Sequence, residues 1–149
     1  MNKLTRYYLL FRLLPCLWTL SFAHADLICD ANKGDVSGVR TDFAAGADVN
    51  AKDNVKSQTA LTWAAANGHL DCVNALIAAL ADVNAVDIHG STSLEWAASL
   101  GRLDCVNALI AASADVNAKD NDGKTALKWT TLQGHRDCVA VLKAAGVTQ

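Results

Sequence analysis

An all-α solenoid, in which short helix pairs stack one on another, is the fold class this sequence predicts. The first observation is an internal period of 33: Trp63, Trp96 and Trp129 fall in register, as do Gly68, Gly101 and Gly134. Asp71-Cys72-Val73, Asp104-Cys105-Val106 and Asp137-Cys138-Val139 share that register. The second observation is composition. Of 149 residues 52% are hydrophobic but only 6% aromatic, and much of the apolar content is alanine, which suits closely packed helices rather than a wide β-sandwich. Nine glycines and a single proline exclude collagen-like and disordered chains, and the length leaves room for one domain.

Residues 1–25 are expected to be a signal peptide. Lys3, Arg6 and Arg12 make a basic start, Leu13 to Phe22 an apolar run, and Ala23-His24-Ala25 a small-x-small cleavage site. The run is about half the roughly 20 residues a membrane-spanning helix needs, and Pro15 interrupts it. Cleavage after Ala25 leaves 124 residues starting at Asp26, exported to a periplasm or secreted, with no membrane attachment. Beyond Ala25 stand 10 basic and 15 acidic residues, a net of −5, which excludes nucleic acid as a partner for want of a basic footprint.

The remaining chain, 26–149, divides into a cap repeat at 26–58 and repeats at 59–91, 92–124 and 125–149. Residues 26–58 match the later units mainly in their second half, through Gly34, Val39 and Ala45-Gly46-Ala47-Asp48-Val49-Asn50, with Asp30 and Lys33 standing where Ala64 and Asn67 stand later. In each later unit Thr59, Thr92 or Thr125 precedes an apolar stretch as an N-cap should, and Thr92 with Glu95 makes a capping box. A first helix of about two turns stops at the glycine. Val73, Leu76 and Ile77, with Val106, Leu109 and Ile110, then recur at helical spacing and define a second helix with one apolar stripe. From Ala-Asp-Val-Asn to the next Thr the chain is polar and turn-rich, Asp120-Asn121-Asp122-Gly123 above all. Helices this short, below about 12 residues, are unstable alone, so stacking must stabilise them.

The strings TALTWAAANGHLDCVNALIAALADVNA, TSLEWAASLGRLDCVNALIAASADVNA and TALKWTTLQGHRDCVAVLKAAG resemble ankyrin repeats. The resemblance implies a fold of helix-turn-helix units joined by hairpin loops, and a concave surface of hairpin tips and first helices that binds another protein. The chain departs from the family pattern in places. The Pro after Thr is replaced by Ala60, Ser93 and Ala126, and the family's His by Thr62, Glu95 and Lys128, a change expected to remove a hydrogen bond between repeats. Leu80 and Ser113 stand where the family ends a helix on Gly, as Gly46 and Gly146 do here.

No motif in the sequence carries catalytic chemistry. His69, Asp71 and Cys72, echoed by His135, Asp137 and Cys138, suggest a Cys-His pair, yet an active site copied per repeat is unexpected, and the middle copy has Arg102 for His. Four cysteines follow Ala25 in a chain expected outside the cytoplasm, so disulfides are the obvious inference. Cys72, Cys105 and Cys138 lie one repeat apart, however, and stacked helices sit roughly 8–10 Å apart, too far for a bridge or a shared zinc. They are expected to be buried and reduced, with Cys29 lacking a partner. Asp48, Asp82 and Asp115 are read as turn residues, not calcium ligands. The tryptophan column is either a stacking platform or, as the resemblance favours, core between first helices. No catalytic residue, metal or cofactor is expected.

The function expected is protein binding by a monomer. Mapping the resembled family's variable positions selects Asn54, Val55, Lys56 and Ser57 on the first finger, Ile88, His89 and Ser91 on the second, and Asn121, Asp122 and Lys124 on the third. Ala66, Asn67, Ser99, Leu100, Leu132 and Gln133 are added from first helices. Ile88, Leu100 and Leu132 matter most, because exposed apolar residues cluster in partner sites. Two alternatives are an accessory or immunity factor acting on a co-exported enzyme and a structural repeat that binds its own copies.

Overall fold

The computed structural model describes residues 19–146, with side chains from Asp26 onward. Most of the expected signal segment, including its basic start, lies outside them. Eight helices are found among the described residues: α1 Thr19–Lys33, α2 Val36–Ala44, α3 Ala60–Asn67, α4 Leu70–Ala78, α5 Ser93–Ser99, α6 Leu103–Ala111, α7 Ala126–Gln133 and α8 Arg136–Ala144. They form four antiparallel pairs. The first helices α1, α3, α5 and α7 pack in sequence as one layer, and α2, α4, α6 and α8 as a second. Antiparallel bridges join Lys52 to Thr59 and Val86 to Thr92, but no strand occurs among the described residues. The architecture is therefore an all-α solenoid.

Local chemistry sets the helix boundaries. Thr59 Oγ1 accepts from Thr62 N–H at 3.3 Å, and Thr125 Oγ1 from Lys128 N–H at 3.4 Å. At Thr92 the capping box is complete: Oγ1 accepts from Glu95 N–H, and Glu95 Oε2 accepts from Thr92 N–H at 3.2 Å. In the first pair Asp35 caps α2 by accepting from Ser37 and Gly38 N–H. Helix α1 is continuous across Ala25-Asp26, so the expected cleavage point falls within a helix and not at its start.

The core is small-residue packing between the layers. Ala64, Ala65, Ala97 and Ala98 are fully buried beside Leu61, Leu94, Val73, Leu76, Val106 and Leu109, so small alanine side chains lie where the helices pack. Cys72, Cys105 and Cys138 are buried in the same core as free thiols, while Cys29 is exposed and also free. Two expectations need correction here. The tryptophans are half-buried outside this core, because their indole N–H groups are held by the hairpins. Nor is the tie between repeats lost at Thr62, whose Oγ1 lies 3.1 Å from Ser93 Oγ in the next unit, both hydroxyls buried.

Three further sets of bonds lock the stack. The residue after each helix-ending turn reaches back one repeat: His69 Nε2 donates to Asn32 O at 3.1 Å, Arg102 Nε to Ala66 O at 3.1 Å, and His135 Nε2 to Ser99 O at 3.0 Å. Gly101 is required for that seat, since its φ is +69° and a Cβ there would stand 2.6 Å from His135 Nδ1. In the Asp-Val-Asn turns Asn50 and Asn84 Oδ1 accept from Asp82 and Asp115 N–H, each at 2.8 Å. Hairpins join through Ile88 N–H to Lys56 O and Asn121 N–H to His89 O.

Candidate partner-binding face

Each hairpin is organised by one aspartate. Asp53 Oδ1 accepts from Val55 and Lys56 N–H, Asp87 Oδ1 from His89 and Ser91 N–H, and Asp120 Oδ1 from Asp122 and Lys124 N–H. The second oxygen of each takes the indole N–H of the following first helix: Trp63 at 3.1 Å, Trp96 at 2.9 Å and Trp129 at 2.9 Å. Asp87 Oδ2 also accepts from Gln58 Nε2 at 3.0 Å. Burial pushes these carboxyls up, but the bonds outweigh it and hold all three below the ordinary carboxylate range. Hairpin and first helix are thereby fixed to each other, and the indoles line the surface between them. Asp53 and Asp87 line this candidate face without having been selected from the sequence, where the tryptophans they hold were considered only as a stacking platform or as core. The signal was available in the recurrence of an Asp at the start of each hairpin.

Two of the three rings carry a lysine from their own hairpin. Lys124 Nζ stands 4.3 Å from the centroid of Trp129, and Lys56 Nζ stands 5.9 Å from that of Trp63. Between α5 and α7 a cleft of about 450 Å³ is lined by Ser91, Glu95, Trp96, Ser99, Leu100, Trp129, Gln133 and His135. A second, of about 400 Å³, lies two repeats away between α1 and α3, lined in part by Cys29, Asp53, Lys56 and Trp63.

The sequence-selected residues separate by exposure. Asn54, Val55 and Lys56 stand exposed on the first hairpin, Ile88 and His89 on the second, and Asn121 and Asp122 on the third. Ser57 is half-buried with φ +54°, and Lys124 is half-buried against Trp129. On the helices Leu100 is 45% and Leu132 58% exposed, and Gln133 is exposed, while Ala66 and Ser99 are half-buried. Asn67 is exposed but engaged, donating to Asn32 Oδ1 at 2.8 Å and to Trp63 O. Ser91 does not stand on a finger. It is only 9% exposed, because its N–H closes the hairpin onto Asp87, and it bounds the cleft from below. The cleft unites Ser91, Ser99, Leu100 and Gln133; Leu132 lies outside its lining.

The residues that could suggest catalysis are otherwise occupied. His69 and His135 are spent on repeat-to-repeat bonds, and burial pushes the thiols of Cys72 and Cys138 up and that of Cys105 to about 11, the reverse of an activated nucleophile. Asp82 and Asp115 Oδ1 accept from Asn84 and Asn117 N–H within their turns. Among the described residues no group of three His, Cys, Asp or Glu side chains could hold a metal ion, and no helix is long and apolar enough to cross a membrane.

Comparison with known proteins agrees with this geometry. The family description "Ankyrin repeats (3 copies)" matches residues 27–120, from within the first helix pair through the third and up to the start of the hairpin after it. The chain is also 41% identical over 63 residues to YahD of Escherichia coli (strain K12), named as an ankyrin repeat protein. That match covers 42% of this chain and 31% of YahD, so the chain spans about a third of the relative's length. Ankyrin repeats commonly mediate protein–protein interaction. With four stacked helix pairs, hairpins between units and a family match over more than half its length, this chain belongs to the ankyrin-repeat family.

Proposed function

We propose that the chain is an exported, non-catalytic binding module that takes a partner protein on the face formed by its hairpins and first helices. The observation that carries this is the exposure of Leu100, Leu132, Ile88 and Val55 on that face, alongside the half-buried tryptophans. Apolar side chains left in water on a rigid scaffold gain by being covered, and aromatic residues anchor interfaces. Export is supported by the basic start, the apolar run and Ala23-His24-Ala25. N-terminal sequencing of protein recovered outside the cytoplasm should begin at Asp26; an intact Met1 contradicts cleavage there, and failure to recover the protein outside the cytoplasm contradicts export.

Replacing Leu100 and Leu132 together by Ser tests the binding face. Affinity capture by the chain and by the double variant is compared, with circular-dichroism melts of both. Retention of a defined partner should weaken by about 1–3 kcal/mol, while stability changes by only a few tenths. A collapsed melting temperature would place these leucines in the core and remove them from the site.

A further inference from the structure

We propose that the cleft between α5 and α7 takes a cationic side chain, lysine or arginine, of the partner, seated on Trp96 and facing Glu95. This inference rests on the protein-binding function proposed above and adds the chemistry of the ligand. Its first support is a difference between otherwise equal repeats. Trp63 and Trp129 each have a lysine of their own hairpin over the ring, whereas no side-chain cation lies over Trp96 among the described residues. Counted from the capping threonine, the position of Lys124 is occupied in the middle repeat by Ser91, which cannot reach over the ring. The position of Lys56 is likewise occupied by His89, which stands exposed, so the middle unit presents the same aspartate-held indole without a lysine from its own hairpin.

The second support is Glu95. It lines the cleft and is 2% exposed; Oε2 accepts from the Thr92 N–H and the Ser91 hydroxyl also favours the charged form, but Oε1 makes no well-formed hydrogen bond. A buried carboxylate oxygen without a donor is costly, and a donor entering the cleft would relieve that cost. The charges around it point the same way. Asp87 and Asp120, from the two hairpins that flank the cleft, both act on Glu95 as negative charges. The basic groups nearby are committed elsewhere: His135 Nε2 donates to Ser99 O, and Lys124 lies on Trp129 and reaches Asp122 Oδ2 at 3.3 Å. An aromatic face and an incompletely bonded carboxylate line one cleft of about 450 Å³, with Asp87 and Asp120 adding negative charge from outside its lining, and together they form a receptor for an alkyl cation, with Leu100 against its aliphatic stem.

The test is a nuclear magnetic resonance titration of the full chain, followed at the assigned indole N–H signals. The probes are n-butylguanidinium and n-butylammonium, with neutral n-butylurea as control. Both cations should shift Trp96 saturably and more than Trp63, the guanidinium more if the fork of an arginine is the better fit. n-Butylurea should bind at least about tenfold more weakly. Glu95→Gln, which keeps a helix-capping group, and Ser91→Lys, which supplies the cation from within the chain, should each lower cation affinity about tenfold. Circular-dichroism melts identify a variant that fails to fold, and the other variant then decides. Equal shifts at the three tryptophans, equal binding of n-butylurea, or folded variants that bind as the parent does would overturn the proposal. A flat titration alongside Leu100- and Leu132-dependent partner retention overturns the cation site alone. Specific cation binding without any partner retained overturns the protein-binding function and leaves the cation site standing.

Discussion

Glu95 shows how a single residue can serve the fold and strain it at once. It completes a capping box, yet burial raises its carboxyl from 4.5 to about 7, with Asp120 and Asp87 pushing the same way. Below the unfolded value of 4.5 both states hold the proton and the site contributes nothing. As pH rises from there to about 7 the unfolded chain releases its proton while the folded chain retains it, so stability falls, and the loss is complete above about 7. Glu95→Gln should therefore become progressively more stable relative to the parent across that window, by a difference on the order of 3 kcal/mol, in denaturant titrations at several pH values. A pH-independent difference contradicts the assignment. Leu80 is a second strained residue. Its φ is +63° on an exposed site where Gly46 and Gly146 take +85° and +86°. Leu80→Gly should raise stability by about 0.5–1 kcal/mol, since relief of the left-handed backbone exceeds the added freedom of the unfolded chain. A fall in melting temperature would show that Leu80 is held by contacts and not merely tolerated.

At the scale of the element, what could be read from the sequence follows from which interactions are local. Threonine caps, the apolar stripe of the second helices and the thiol ladder depend on spacing within a unit, and the structure places each where the pattern put it. The tryptophans were misplaced because their position follows from a bond across the unit, from hairpin aspartate to helix indole, which no helical periodicity encodes. Ser91 was misjudged for the same reason, its N–H being drawn inward by Asp87. The compensation at Thr62 needed the knowledge that Ser93 of the next unit faces it. Asp87 makes the largest set of such bonds, from two backbone N–H groups, Gln58 and Trp96. Asp87→Ala should cost about 2–4 kcal/mol by denaturant titration, because partners at this largely buried site lose their acceptor. A cost within a few tenths would mean that the hairpin is held by its neighbours instead.

The described residues form a row of units, each bonded to those beside it. His69, Arg102 and His135 each reach one repeat back, and Asn50 and Asn84 each accept from the next turn. Such nearest-neighbour coupling makes a rigid scaffold from helices too short to fold alone, and leaves one long face on which side chains can vary without disturbing the core. The proposed binding mode requires that this face, and not the opposite layer of second helices, meets the partner. Site-specific photocrosslinking tests it most directly, with a benzophenone amino acid placed at Leu100 or Leu132 on the first helices and at Asn74 or Asn107 on exposed positions of the second. Irradiation in the cells that make the protein should give a discrete adduct of the same mass from Leu100 and Leu132 and none from Asn74 and Asn107. Adducts from the second-helix positions alone would contradict it.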